Sequence, residues 1–311
     1  MVTVIRELLP DADPERRYDW LYRGGPDGPA LTWLAVDDAS GEAAGATSFF
    51  RRRMLLDGQV VSGALGGDGF VRPRFRRRGI AGAMHAASRR AMEEQGIAVM
   101  YGTPMPANRS PLAAAGAFDI TETVRYARPV RAQALRLPSL LDPLLLVPRR
   151  AECELVPMAP QDARVDEVWR QTQPELQVAA VRDAAFYTWR FLQTPAQRHQ
   201  AFVLLRGQEA LAACALLSEG VHLYVVDLVA PRRRWPLVLQ ALARHAKATG
   251  HDRVELKLTR ESAEHYGILW SGFMPREAKP LNLVLPERCP HEVLLRDARR
   301  WYFTWADSDM D

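Results

Sequence analysis

The chain has 311 residues, of which 48% are hydrophobic and 25% charged, and a net charge of +4. This is an ordinary balance for a globular protein of two domains. Its three cysteines, Cys153, Cys214 and Cys289, are far apart with no C-x-x-C pair, and its seven histidines are scattered; this speaks against a disulfide framework or a metal site and suits a reducing cytoplasm. No basic-then-apolar leader opens the sequence. The most apolar stretch, Leu135–Val147, is interrupted by Pro138, Asp142 and Pro143 and is too short to span a bilayer.

In chain order, Val2–Leu8 reads as a short strand and Asp13–Arg23 as a helix, with Asp13 as N-cap, Pro14 at the first helical position and Gly24-Gly25-Pro26 as the stop. Leu31–Asp37 and Glu42–Arg53 read as strands. A hairpin turning at Asp57-Gly58 leads into a third, Gln59–Val71. A basic loop, Arg72–Arg78, precedes a helix from Ile80 to Gln95 whose apolar stripe is Ile80, Met84, Ala87 and Ala91. After Gly96, Ile97–Tyr101 is a continuous apolar run that reads as a central strand. A short helix over Asn108–Ala115 and a strand over Phe118–Val130 close the first half. Arg131–Arg150, rich in leucine, proline and arginine, reads as a linker.

The second half starts again at Ala151. Val165–Gln173 and Asp183–Leu192 suit helices, Ala201–Arg206 and Ala210–Leu217 a hairpin, Val221–Ala230 a strand and Leu237–Thr249 a helix. Arg253–Leu258 suits a strand, Ser262–Ser271 a short helix and Asn282–Leu285 a last strand, ahead of a tail over residues 291–311.

The informative stretch is Gly69-Phe70-Val71-Arg72-Pro73-Arg74-Phe75-Arg76-Arg77-Arg78-Gly79-Ile80-Ala81-Gly82, which joins an apolar strand to an amphipathic helix. Backbone N–H groups at a helix start are unpaired and carry partial positive charge, so they attract anions. Glycine at 79 lets the main chain come close to a phosphate. Ala81 and Gly82 keep the first helical turn free of bulk, and arginines add charge-assisted contacts to phosphate oxygens. Two other phosphate loops, G-x-x-x-x-G-K-[ST] and G-x-G-x-x-G between strand and helix, are absent.

The run Arg76-Arg77-Arg78-Gly79-Ile80-Ala81, after Val71 and Pro73, resembles the R/Q-x-x-G-x-G/A signature of the GNAT superfamily of acyl-CoA N-acyltransferases. The resemblance covers roughly residues 1–130. It implies an α/β (α+β) fold, a mixed central sheet with flanking helices, and acetyl-CoA or another acyl-CoA as cofactor. Main-chain groups of Phe70 and Val71 would pair with the pantetheine arm, and the segment Arg76, Arg77, Arg78, Gly79, Ile80, Ala81, Gly82 would hold the pyrophosphate. Asn108 stands where many members carry an asparagine near the leaving thiol. The expected partner is a small-molecule primary amine, with no nucleic acid and no membrane span.

Two catalytic groups follow from the same resemblance. Asp68, at the end of a strand and just before the pantetheine-pairing residues, is placed as a base to keep the amine neutral. The tyrosine that many members use as acid is missing; its place holds Leu112, and Tyr101 and Ser110 are the available substitutes.

The second half repeats the order strand, proline, basic loop, helix, glycine, strand, short helix. However, Arg232-Arg233-Arg234-Trp235-Pro236 has no glycine, and Trp235 fills the place of a pyrophosphate. Phe186-Tyr187-Thr188-Trp189-Arg190-Phe191 and the close from Trp301 to Asp309 resemble bacterial tandem members. The expected organisation is therefore a GNAT domain over 1–130, a linker over 131–150, a degenerate GNAT-like domain over 151–290 and a tail over 291–311. Two other functions fit: a non-catalytic acyl-CoA-binding protein, favoured by the absent tyrosine, and an aminoacyltransferase drawing on charged tRNA, disfavoured by the intact loop.

Overall fold

A computed structural model describes residues 1–145 and 153–308. The end of the expected linker, the end of the Leu135–Val147 stretch and the residues past Ser308 lie outside the described residues. The chain divides into two compact units, each built from separate segments of sequence. The first comprises Met1–Thr121 and Pro280–Asp297 with the residues from Asp307; the second comprises Glu122–Lys279 and Ala298–Ala306.

The first unit opens with two helices, α1 (Val2–Leu8) and α2 (Pro14–Arg17), the latter continued by a wider π turn over Tyr18–Arg23. Val2–Leu8 is thus a helix and not the expected strand. A short apolar run has no periodicity to separate the two states, and burial of Val4 and Ile5 on one face decides it. Asp13 caps α2 as expected, accepting from the Arg16 N–H at 3.0 Å. Three antiparallel strands follow: β1 (Leu31–Val36), β2 (Ala43–Leu56) and β3 (Gln59–Val71). The β2–β3 hairpin turns at Asp57 and Gly58, both at positive φ (48° and 81°), the geometry for which Asp-Gly is favoured.

Helix α3 (Ile80–Glu94) crosses to β4 (Met100–Gly102), which lies parallel to β3. The inward face of α3 is Met84, His85, Ser88 and Met92, with Ala87 and Ala91 only half-buried, so the stripe is rotated from the expected one. Burial pushes the His85 pKa down, keeping the ring neutral inside. Helix α4 (Pro106–Ala114) and strand β5 (Phe118–Pro129) come next. The last strand of the first unit, however, arrives from the far end of the chain. In β12 (Met274–Val284), Asn282, Leu283 and Val284 pair antiparallel with Gly102, Tyr101 and Met100. Val284 joins Phe49, Ala64, Met92, Ile97, Met100 and Leu112 in one core cluster.

The second unit takes in β5 from Glu122 on, then short turns and α5 (Asp142–Leu145), β6 (Glu154–Pro157), α6 (Ala163–Thr172), β7 (Val178–Ala180) and α7 (Ala184–Tyr187) with a π turn over Thr188–Leu192. Its sheet runs through β8 (His199–Arg206), β9 (Glu209–Glu219) and β10 (His222–Val229), all antiparallel. Helix α8 (Trp235–Ala248) leads to β11 (Arg253–Thr259), parallel to β10, and α9 (Arg260–His265) follows. Next to β11 lies β5, antiparallel to it from Arg253↔Pro129 to Thr259↔Thr123. Each unit thus includes a strand drawn from the other half of the sequence. No helix among the described residues is long and apolar enough to cross a membrane.

Candidate functional site

Strand β3 diverges from β4. The ladder between them is two pairs, Ala64↔Met100 and Leu65↔Tyr101; β4 then ends at Gly102 while β3 runs on to Val71. The last residues of β3 therefore have register partners on β2 alone, and of the carbonyls that point away from β2 Gly69's accepts from Asn108 and Val71's from Arg76. In the same stretch the β2–β3 register shifts. Ser48 faces Gly67 and Ala46 faces Phe70, so Asp68 and Gly69 together oppose Thr47. This is a β-bulge, and Asp68 sits in it at φ 48°. A non-glycine residue in that region stores strain on the order of 1–3 kcal/mol and is held there by its neighbours.

The neighbours are identifiable. The Asp68 carboxylate accepts from Arg17 Nη2 at 3.0 Å through Oδ1 and from the Tyr22 hydroxyl at 2.6 Å through Oδ2. All three residues are buried. Burial, then the charge of Asp68, pushes the Tyr22 pKa far above its ordinary value, so the phenol stays protonated and donates. On the other side of the bulge, Asn108 Nδ2 on α4 donates to the Gly69 carbonyl at 3.0 Å. A Cβ at position 69 would lie 3.2 Å from that same amide nitrogen, so glycine lets α4 close on the strand.

Past the bulge, a 3-10 turn over Pro73–Phe75 leads into the arginine loop. Arg77 (φ 63°) and Gly79 (φ 76°) are both left-handed, and Gly79 is the residue before the first turn of α3. Turns of this kind gather N–H groups into an anion-binding concavity. A Cβ at Gly79 or Gly82 would meet nothing within 4 Å, so the space over the helix start is open. Arg76, Arg77 and Arg78 are exposed; Arg76 Nε donates to the Val71 carbonyl at 3.0 Å, whereas the Arg77 side chain has no ion pair or hydrogen bond among the described residues. Arg72 and Arg74 are occupied by Glu7 and Glu42. Phe70, Val71, Arg76–Gly82 and Asn108 thus lie along one continuous path.

The two expected catalytic side chains are placed differently. Both carboxylate oxygens of Asp68 are engaged, and Tyr101 is 1% exposed in the sheet between Leu65 and Leu283. Arg17 and Tyr22, which hold Asp68, were not among the residues singled out by sequence. Ser110 is exposed on α4. Leu112, at the missing tyrosine's place, belongs to the core cluster. Leu112→Tyr is expected to lower stability by about 1–3 kcal/mol through overpacking, measured by denaturant unfolding.

No protein-family model and no curated protein matches the chain. Solved structures do. A GCN5-related N-acetyltransferase from Anabaena variabilis matches with a TM-score of 0.69 at 14% identity, over 91% of this chain and 69% of that one. A probable N-acyltransferase from Enterococcus faecalis matches with a TM-score of 0.65 at 13% identity, over 91% and 68%. Saccharomyces cerevisiae N-myristoyltransferase, solved with bound myristoyl-CoA and inhibitors, matches with a TM-score of 0.60 at 11% identity, over 91% and 76%. At such identities the likeness is one of architecture: the chain has the mixed α/β fold of the GCN5-related N-acetyltransferases.

Proposed function

We propose that the chain is an acyl-CoA-dependent N-acyltransferase that moves an acetyl or short acyl group to a primary amine, an amino sugar or nucleotide-linked amino sugar being the acceptor class. The observation that carries this reading is the end of β3 at Gly69–Val71, past its ladder with β4, followed at once by the arginine–glycine turn at the start of α3. A pantetheine arm has amides to pair with the strand, and a pyrophosphate needs N–H groups and arginines at a helix start. The residues fit: the space at Gly79 and Gly82 is open, and the Arg77 guanidinium is available. Phe70 and Val71 would hold the pantetheine and Arg76–Gly82 the pyrophosphate, with Asn108 fixing the strand beside them. The bound thioester supplies the acyl group.

Calorimetry with acetyl-CoA, followed by thiol release in the presence of glucosamine and other primary amines, tests the reading. Saturable binding with amine-dependent thiol release is expected. No binding overturns the reading, and binding without release from any amine favours a sensor.

We further propose that the second unit is a copy of the first that no longer takes coenzyme A, so that one molecule binds per chain. Several repeated details support duplication. Asp183 caps α7 by accepting from the Phe186 N–H, as Asp13 caps α2, and each four-residue helix continues into a π turn. Strand β10 has a register shift between Val225 and Asp227, just ahead of Pro231, as β3 has ahead of Pro73. The ligand path is filled in this copy. Trp235 is buried, with Nε1 donating to the Ala230 carbonyl at 3.1 Å and its ring stacked 4.0 Å from Tyr266. Leu228, the counterpart of Phe70 counted back from the proline, accepts from the Tyr302 hydroxyl, and Asp227 accepts from Thr304 Oγ1 at 2.7 Å. Titration should give one site. Trp235→Ala should cost about 3–5 kcal/mol as a buried truncation and still show one site; a second coenzyme A would overturn the proposal.

A further inference from the structure

The Asp68 bulge is gripped from both sides. Asn108 holds the Gly69 carbonyl, and Arg17 and Tyr22 hold the Asp68 carboxylate. Arg17 ends α2 and Tyr22 lies in the π turn that extends it, and the Tyr22 ring packs edge-on against Phe50 at 5.1 Å and stacks on Tyr18 at 5.2 Å. The network therefore connects the α2 segment to the one place where β3 is kinked. A carboxylate with both oxygens engaged and 6% of its residue surface exposed is poorly placed to take a proton from an incoming amine. It is well placed to keep an energetically unfavourable backbone conformation, because a charged pair in a low-dielectric interior is held to a narrow geometry.

We infer that Arg17, Asp68 and Tyr22 are positioning residues: through the bulge they aim the main-chain N–H groups that point away from β2 between Gly69 and Val71 toward the carbonyl oxygen of the bound thioester. This rests on the acyltransferase reading and assigns Asp68 a role other than base. The chemistry requires such aiming, since donors help most when they point at the position where negative charge develops and need no reorganisation to do so. Asp68 then works through its two hydrogen bonds, to Arg17 and Tyr22.

The test uses acetyl-CoA labelled with 13C at the acetyl carbonyl, and no acceptor has to be known. Donors aimed at the carbonyl polarise it and displace its resonance from the free position. In the wild-type full-length chain the bound resonance should be displaced. In Asp68→Asn about half or more of that displacement should be lost, while the Kd changes by less than about threefold, because affinity resides in the pantetheine and pyrophosphate contacts.

Arg17→Met should do the same, and the double variant should recover part of the loss, since removing both partners leaves no buried unpaired charge. Tyr22→Phe keeps the ring packing and removes one hydrogen bond; it carries the test by a smaller displacement if Asp68→Asn does not fold. A base would leave the resonance where it was. An unmoved resonance in the Asp68 and Tyr22 variants overturns the inference, as does a wild-type bound resonance at the free position. Absence of acetyl-CoA binding by the wild type instead overturns the reading on which it rests.

Discussion

Replacing Gly79 by glutamate is expected to weaken coenzyme A binding at least about tenfold, or roughly 1.4 kcal/mol, while the chain stays folded. Gly79 precedes the first turn of α3 at φ 76°, and its missing Cβ would meet nothing within 4 Å. The new Cβ therefore meets no protein atom; the cost to the fold is the left-handed backbone, on the order of 1–3 kcal/mol. Its carboxylate, however, lies beside the same free N–H groups that a pyrophosphate would use. An anion near a helix start is favourable, so the variant supplies its own competitor and repels the phosphates as well. Gly82→Glu separates the two effects. Position 82 also has open space but lies within the helix without positive φ, so it should lose affinity without the backbone cost. Calorimetry reads the affinity and a thermal melt the stability. Two folded variants with unchanged affinity would remove the phosphate site from this loop.

Residues 1–130 expressed alone should fail to fold cooperatively. The fragment contains the whole candidate loop but lacks the strand that lies against β4, since Asn282–Val284 pair with Gly102–Met100. Leu281, Leu283, Val284 and Leu285 are each 5% exposed or less. Burial of a side chain of this size contributes about 1.5–3 kcal/mol, so four together amount to roughly 6–12 kcal/mol. That matches the entire stability of an ordinary domain, about 5–15 kcal/mol. The fragment would also expose the unpaired edge of β4 and the core around Met100, a template for aggregation. Circular dichroism during urea unfolding checks this. A sharp transition with native-like midpoint would mean that β12 is dispensable to the first unit.

The parts of the fold that were legible in the sequence are those whose signals are local. Asp57-Gly58 between alternating runs fixed the hairpin, Asp13-Pro14 the start of α2, and the glycine after the arginines the start of α3. The candidate phosphate loop is local too, one turn between one strand and one helix. What escaped depends on distance or on ambiguity. Arg17 and Tyr22 stand 51 and 46 positions from Asp68, and nothing in their spacing announces a shared carboxylate. Strand β12 was expected only over Asn282–Leu285, because Met274–Glu277 present exposed side chains without apolar alternation. Its choice of β4 as neighbour is a tertiary fact. Val2–Leu8 shows the ambiguity of short apolar runs.

The exchange of strands between the two units also sets a clock on synthesis. The first unit has α1 to α4 and β1 to β4 by Thr121, yet the residues that complete its sheet begin at Pro280. At about 5–20 residues per second, a nascent chain waits on the order of 8–30 seconds between those two points. During that interval the β4 edge and the apolar side chains that Leu281–Leu285 will cover remain open. Strand β5 is meanwhile already made and waits for its own neighbour, β11, which begins only at Arg253. Neither unit can settle as the ribosome releases its half of the sequence, so the two must mature almost together, once residues 280–306 have been made.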